Sequence, residues 1–114
     1  MKKINTLNPG ILNGIEFNIP LFAADNQMYK CKTIEQHNQN PWKEYHMIFR
    51  YVPMAYSVPE YIKMIIRFQD RIRIELYEIR NNKDMFLIHI VVNENNINSI
   101  KDVKETFYNL GKSI

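Results

Sequence analysis

Apolar and polar side chains alternate most regularly along residues 71–92, RIRIELYEIRNNKDMFLIHIVV, which we take as the centre of the fold. The apolar positions of the first run fall on one side of an extended chain: Ile72, Ile74 and Leu76. Residues 85–92 form a second run that is almost entirely apolar. Between the two runs, residues 81–84 have the sequence NNKD, and Asn and Asp tolerate the left-handed backbone of a tight turn. The pattern predicts a β-hairpin of two antiparallel strands, 71–80 and 85–92.

The apolar positions also predict the register of this hairpin. If the first apolar set faces the core, its partners in the second strand are Phe86, Ile88, Ile90 and Val92. Because both sets have even residue numbers, the loop between the strands must contain an odd number of residues, most simply residues 81–83. The same register places Glu75 opposite His89. The other face then carries six further side chains: Arg73, Tyr77, Ile79, Met85, Leu87 and Val91. That face is too apolar to lie wholly in water, so we expect a second element, such as the C-terminal helix, or a binding partner to cover it.

Three further strands and two helices are predicted outside the hairpin. The strands are 15–19, 28–34 and 44–52, each with period-2 patterning. Ser57 to Glu60 reads S-x-x-E with a proline in the first turn, which predicts a capping box and a helix with Tyr61, Met64, Ile65 and Phe68 on its buried side. A last helix begins at Asn98 or Ser99 and ends at Gly111, with a core stripe of Ile100, Val103, Phe107 and Leu110.

The predicted fold is a single α+β domain over residues 1–114, with residues 1–13 as a loose arm. Its element order is β-β-β-α-β-β-α, a mostly antiparallel five-stranded sheet with two packed helices. Several strand orders satisfy the rules for connections, and the choice between them stays open. A rival interpretation also stays open, because apolar residues at a 3.6 period allow one long helix over residues 58–80.

Composition indicates an ordinary globular domain. The chain has 114 residues, a net charge of +3 and a pI near 9.0, which permits an acidic partner without requiring one. Cys31 is its single cysteine, which fits a reducing, cytoplasmic setting. No run approaches the roughly 18 apolar residues of a membrane span, and polar residues interrupt the N-terminal segment where a signal peptide needs an apolar stretch.

No catalytic motif occurs in the sequence. The histidines His37, His46 and His89 have no metal-ligand spacing, although His46 shares a strand face with Glu44. Cys31 has no histidine placed by sequence to act as its base, so we interpret it as a buried, inert thiol. The three glycines form no phosphate-binding loop. We therefore expect no enzymatic activity, no metal and no cofactor.

Binding is the function that remains for such a domain. We expect a small cytoplasmic protein-binding module, most concretely a bacterial inhibitor or immunity protein that covers a site on a toxin or enzyme. The hairpin is its expected contact surface, with six predicted partner-binding residues: Arg73, Tyr77, Arg80, Lys83, Leu87 and His89. The alternative is a nucleic-acid-binding protein that uses the arginine-rich hairpin 71–92, although interleaved acidic residues are more typical of a solvated face than of a phosphate track.

Overall fold

The computed structural model describes residues 9–23, 27–39, 42–52, 59–93, 97 and 99–114. In these ranges six strands follow one another, and each pairs antiparallel with the next in one sheet. They are β1 (Glu16–Asn18), β2 (Met28–Gln39), β3 (Trp42–Tyr51), β4 (Tyr61–Phe68), β5 (Ile72–Arg80) and β6 (Lys83–Val92). One α-helix, α1 (Ile100–Lys112), follows them, and two short 3-10 turns lie at Pro9–Leu12 and Leu21–Ala23. The strand order that the sequence left open is thus a simple meander.

The predicted fold of five strands and two helices is wrong, because the segment assigned to the first helix is strand β4. Ile62, Met64 and Ile66 alternate along β4 and are fully or almost fully buried, which is a period of two. Part of the same segment also fits a helical period, so its apolar pattern alone does not distinguish the two structures. β-branched isoleucines favour the strand, and β3 and β5 supply hydrogen-bonding partners on both sides. The rival helix over residues 58–80 is excluded for the same reason.

Two other predictions concern segments that lie partly outside the described residues. Ser57, the first residue of the predicted capping box, lies outside the described residues. Of the predicted loose arm, residues 1–8 lie outside them as well. Leu12, at the end of the first 3-10 turn, is buried in the core.

The core lies on one face of the sheet, which we call the inner face. It is formed by alternate side chains of all the strands from β1 to β5, among them Phe17, Tyr29, Phe49, Met64 and Ile74, all of which are completely buried. Helix α1 covers this face with Val103, Phe107 and Leu110. Because α1 contacts β1 and β6, the two edge strands, the sheet curves around the helix as a half-barrel.

Helix α1 follows its sequence signals closely. Ser99 is the N-cap, and its hydroxyl accepts a hydrogen bond from the backbone N–H of Asp102 at 3.2 Å. The predicted end at Gly111 is wrong, since the helix continues to Lys112 and Ser113 is its C-cap. Gly111 has a packing role instead: a Cβ at this position would lie 2.8 Å from the backbone nitrogen of Pro20 and 2.9 Å from the Ile19 side chain. Glycine therefore allows α1 to approach the end of β1.

The central hairpin is confirmed, but its turn and half of its register differ from the prediction. Asn81 and Asn82 form a two-residue turn with φ of 52° and 62°, the left-handed pair that hairpin turns of this length require. Ile74 opposite Ile90 and Glu75 opposite His89 are confirmed. The register shifts between Leu76 and Tyr77, where Leu87 is the extra residue of a β-bulge. Between this bulge and the turn, the side chains of β6 therefore point to the opposite faces from those predicted. Phe86 therefore lies opposite Tyr77 on the outer face, whereas the sequence predicted it in the core.

Candidate interaction surface on the outer face of the sheet

The outer face is the face of the sheet opposite α1, and no described helix covers it. Its side chains form rows across β3, β4, β5 and β6, in that order. The first row is Glu44, Arg67, Arg73 and Val91; the second is His46, Ile65, Glu75 and His89; the third is Ile48, Lys63, Tyr77 and Phe86. Ionic side chains dominate the first two rows, and apolar side chains are concentrated towards β6.

Arg67 is the centre of the ionic part. Its Nε donates to Oε1 of Glu44 at 2.6 Å, and its Nη1 lies 2.5 Å from Oε1 of Glu75. The three residues stand on three adjacent strands, so one guanidinium ties β3, β4 and β5 together. Both carboxylates are largely shielded from water, with side-chain exposures of 7% for Glu44 and 10% for Glu75. Charges so buried are tolerated only when they are paired and hydrogen-bonded, as these are.

Each glutamate also accepts bonds from its own strand. The Tyr77 hydroxyl donates to Oε1 of Glu75 at 2.8 Å, and Nε of Arg73 donates to its Oε2 at 3.2 Å. On the other side, Oε2 of Glu44 lies 2.7 Å from Nε2 of His46. The described network therefore extends from β3 to β5 without a gap. We call these six residues the ionic network: Glu44, His46, Arg67, Arg73, Glu75 and Tyr77.

The network keeps its carboxylates ionised. Burial by itself would raise the pKa of Glu44, but hydrogen bonds from His46 and Arg67 outweigh that effect and the pKa is lowered. Burial opposes ionisation of Glu75 in the same way, and hydrogen bonds from Arg67 and Tyr77 again lower its pKa. The Tyr77 hydroxyl is affected in the opposite direction, since burial and its bond to Glu75 raise its pKa to about 12. At neutral pH the network holds two carboxylates, two guanidinium groups and a neutral phenol.

Two histidines stack at the β2 side of this face. The ring centroids of His37 and His46 lie 4.0 Å apart, and Nε2 of His37 lies 3.4 Å from a carboxylate oxygen of Glu35. Across the described residues, no three His, Cys, Asp or Glu side chains converge in a way that could hold a metal ion. Cys31 is buried on the inner face, and burial raises the pKa of its thiol to about 12, so it carries no reactive thiolate at neutral pH.

Next to the ionic network, the β5–β6 hairpin exposes a cluster of apolar and aromatic side chains. Phe86 is 55% exposed and Val91 is 47% exposed. The ring of Tyr77 meets that of Phe86 edge to face at 5.6 Å, and the His89 ring lies 6.2 Å from Phe86. Arg73, half-exposed, borders the cluster and stands opposite Val91. We call these five residues the outer hairpin patch: Arg73, Tyr77, Phe86, His89 and Val91.

The structure brings together three of the six residues predicted to contact a partner, namely Arg73, Tyr77 and His89. Leu87 is the bulge residue of β6 and packs against the core. Arg80 and Lys83 are opposite backbone positions of the two strands on either side of the turn, and the Arg80 side chain forms an ion pair with Glu78 at 2.8 Å. These last two therefore lie at the tip of the hairpin.

Phe86 and the three β4 residues Lys63, Ile65 and Arg67 belong to this surface, although the sequence did not assign them to it. The predicted loop of three residues put Phe86 in the core, and the predicted helix put Arg67 on a solvated helical face. A signal for Arg67 did exist, since it lies between the apolar residues Ile66 and Phe68 as Glu75 lies between Ile74 and Leu76, an alternation typical of a strand. Phe86 had no such signal, because a single-residue bulge leaves no mark in the apolar pattern.

Comparison with known proteins adds no assignment to this geometry. Within the described residues, no helix has both the length and the apolar character that crossing a membrane requires. No protein-family model, no curated protein and no solved structure matches the chain.

Proposed function

We propose that this chain is a protein-binding module that contacts its partner through the outer hairpin patch. Its most concrete form is a bacterial inhibitor or immunity protein that occludes a toxin or enzyme in the cytoplasm, where a lone cysteine stays reduced. The observation that carries the proposal is the exposure of Phe86 and Val91 beside Tyr77 and Arg73 on the strand pair β5–β6.

The composition of the patch supports a protein partner. Aromatic and arginine side chains contribute most of the binding energy in protein interfaces when they become buried at the centre. Tyr77 and Arg73 are held by their bonds to Glu75, so little side-chain entropy remains to be lost on binding. The ionic network forms a polar border on one side of the patch, which resembles the polar rim of an interface.

The nucleic-acid alternative has less support from the same contacts. Phosphate binding needs guanidinium and ammonium groups that are free to pair with phosphate. Arg67 and Arg73 are bound to Glu75, Arg80 to Glu78 and Lys63 to Asp84. These four cationic side chains of β4 and β5 are thus already neutralised within the protein.

The test begins with affinity purification of the tagged chain from its native cells, followed by measurement of binding to the protein recovered. Phe86→Ala is expected to weaken this complex about 30-fold, equivalent to about 2 kcal/mol for a central aromatic residue. The matched control is Phe22→Ala, because Phe22 is similarly exposed, at 48%, beside the opposite edge of the sheet.

Equal binding by the two variants would contradict the proposed surface. A salt titration distinguishes the alternative function: binding to mixed-sequence nucleic acid that weakens steeply between about 50 and 200 mM salt would favour it.

A further inference from the structure

The two edges of the sheet differ in how they are closed. β1 is only three residues long and is followed by Pro20, and α1 packs against it and against the Leu21–Ala23 turn. β6 is ten residues long, pairs with β5 on one side, and has no described strand on its other side. A long unpaired edge presents a row of backbone N–H and C=O groups that can pair with another strand.

The half of β6 beyond the bulge lacks the features that prevent such pairing. Proteins protect their edges with lysine, proline, bulges or inward-pointing charge. Lys83, Asp84 and the bulge at Leu87 protect the half of β6 near the turn. Residues 88–92, with the sequence IHIVV, contain no proline, no lysine and no carboxylate.

We propose that this segment of β6 pairs antiparallel with the same segment of a second copy of the chain. The pairing makes one continuous antiparallel sheet from the strands of both copies. Because residues 88–92 carry no Lys, Arg, Asp or Glu, the twofold pairing brings no such charges face to face. The inference concerns the backbone edge of β6 and does not depend on the outer hairpin patch binding another protein.

The register of the pairing follows from the bulge. In an antiparallel pair, directly opposite residues point to the same face of the sheet. The side chains of residues 88–92 alternate regularly between the two faces. If the pairing extended past the bulge at Leu87, inner-face side chains of one copy would lie opposite outer-face side chains of the other. The register that uses the whole regular segment puts Ile90 on the twofold axis. Ile88 then faces Val92 of the other copy on the inner face, and His89 faces its Val91 on the outer face.

The closed β1 edge determines the size of the assembly. A contact between two different edges would repeat head to tail and build a fibre, whereas pairing of identical edges closes after two copies. Beyond Cys31, β2 also has no described strand on the β1 side, but Lys32 and Glu35 lie in that stretch and charged residues oppose edge pairing. The long edge without charged residues is that of β6, so the expected species is a dimer. A contact of five residues in each strand is small, so we expect a dissociation constant in the micromolar range or weaker.

Cysteine cross-linking of the full chain tests this register directly. One preparation carries His89→Cys and another carries Val91→Cys, and both positions are exposed, so the fold is expected to tolerate each change. Under mild oxidation by oxidised glutathione, the mixture is expected to give a covalent dimer containing one chain of each kind. Each preparation alone is expected to form little covalent dimer, because a disulfide needs Cβ atoms about 3.5–4.5 Å apart and only directly opposite positions meet this. Cys31 does not compete, since it is buried and burial raises the pKa of its thiol to about 12.

Phe86→Cys is the matched control, because residue 86 is exposed on the same face of β6 but lies outside the paired segment. It is expected to form no cross-link alone or with either partner. Absence of the mixed dimer, or equal cross-linking by all three variants, overturns the proposed pairing. Sedimentation equilibrium of the unmodified chain from about 1 µM to about 1 mM provides the second measurement, and a monomer throughout that range overturns the proposal as well.

Discussion

The two faces of the sheet are built from the same six strands but are stabilised in different ways. The inner face is apolar, is covered by α1, and brings Phe17, Phe49 and Phe107 into mutual ring contact. The outer face has no described helix over it, yet Glu44 and Glu75 are almost as inaccessible as core residues. There the shielding comes from neighbouring side chains, chiefly Arg67.

This difference shows that burial in a small domain does not require a covering layer. On the inner face, stability follows from apolar area removed from water, which is insensitive to pH and to the identity of individual polar groups. On the outer face it depends on the pairing of a few charges, and each charge is costly if its partner is lost. Three residues of the patch, Phe86, His89 and Val91, lie outside the ionic network and are exposed.

The largest effect is expected on the inner face. Phe107→Ala removes a completely buried ring that lies 5.0 Å from Phe17 and 6.0 Å from Phe49. We expect a loss of roughly 3–5 kcal/mol in the free energy of unfolding, from lost burial and the cavity that remains. Urea denaturation measures it, and a loss below about 1 kcal/mol would mean that α1 does not complete the core.

Arg67→Met tests the outer face. The change keeps an apolar stem but leaves Glu44 and Glu75 without their shared cation, and we expect a loss of about 2 kcal/mol. This is less than for a fully buried pair, because the Arg67 side chain is 23% exposed. Arg80→Met is the control, since Arg80 also pairs with a buried glutamate but is itself 64% exposed, and it should cost less than about 1 kcal/mol. Equal losses in the two variants would contradict the central place of Arg67.

The third prediction concerns pH. The folded-state pKa values of Glu44 and Glu75 lie below their ordinary value of 4.5, so the unfolded chain binds more protons as the solution becomes acidic. Their contribution to stability is therefore complete above pH 4.5 and is lost as the pH falls through the folded values. Arg67→Met removes hydrogen bonds that lower the pKa values of Glu44 and Glu75, so burial raises both pKa values in the variant. The stability difference between wild type and variant should therefore shrink on acidification. Denaturation curves of both proteins between neutral pH and about pH 3 measure this; a constant difference would contradict it.

The smallest effect on folding is expected in the outer hairpin patch. Phe86→Ala removes an aromatic ring as Phe107→Ala does, but from an exposed site, and should change the free energy of unfolding by less than about 0.5 kcal/mol. The two phenylalanines thus form a matched pair, one on each face, and thermal melting compares them directly. A cost near that of Phe107→Ala would show that the patch belongs to the core and is not available to a partner.

Local signals predicted the elements that need no partner to be identified. Helix α1 follows from its apolar stripe and from Ser99, and the hairpin follows from alternating residues on both sides of Asn81 and Asn82. β4 was missed because Met64, Ile65 and Phe68 fit the buried stripe of a helix, while the same segment also fits the alternation of a strand. The S-x-x-E sequence before it then favoured the helix. Strand pairing with β3 and β5 decided the matter, and no window of the sequence contains that pairing.

The sequence by itself determined one apolar set that forms a core, an amphipathic C-terminal helix, and a hairpin with Ile74 facing Ile90 and Glu75 facing His89. Tertiary structure alone decided that Tyr61–Phe68 is a strand, the meander order, the bulge that turns Phe86 outward, and the convergence of Glu44, Arg67 and Glu75. The physical reason lies in the range of the interactions. Periodicity and turn preference act over a few neighbouring residues, whereas register and charge pairing are fixed between strands that are distant in the chain.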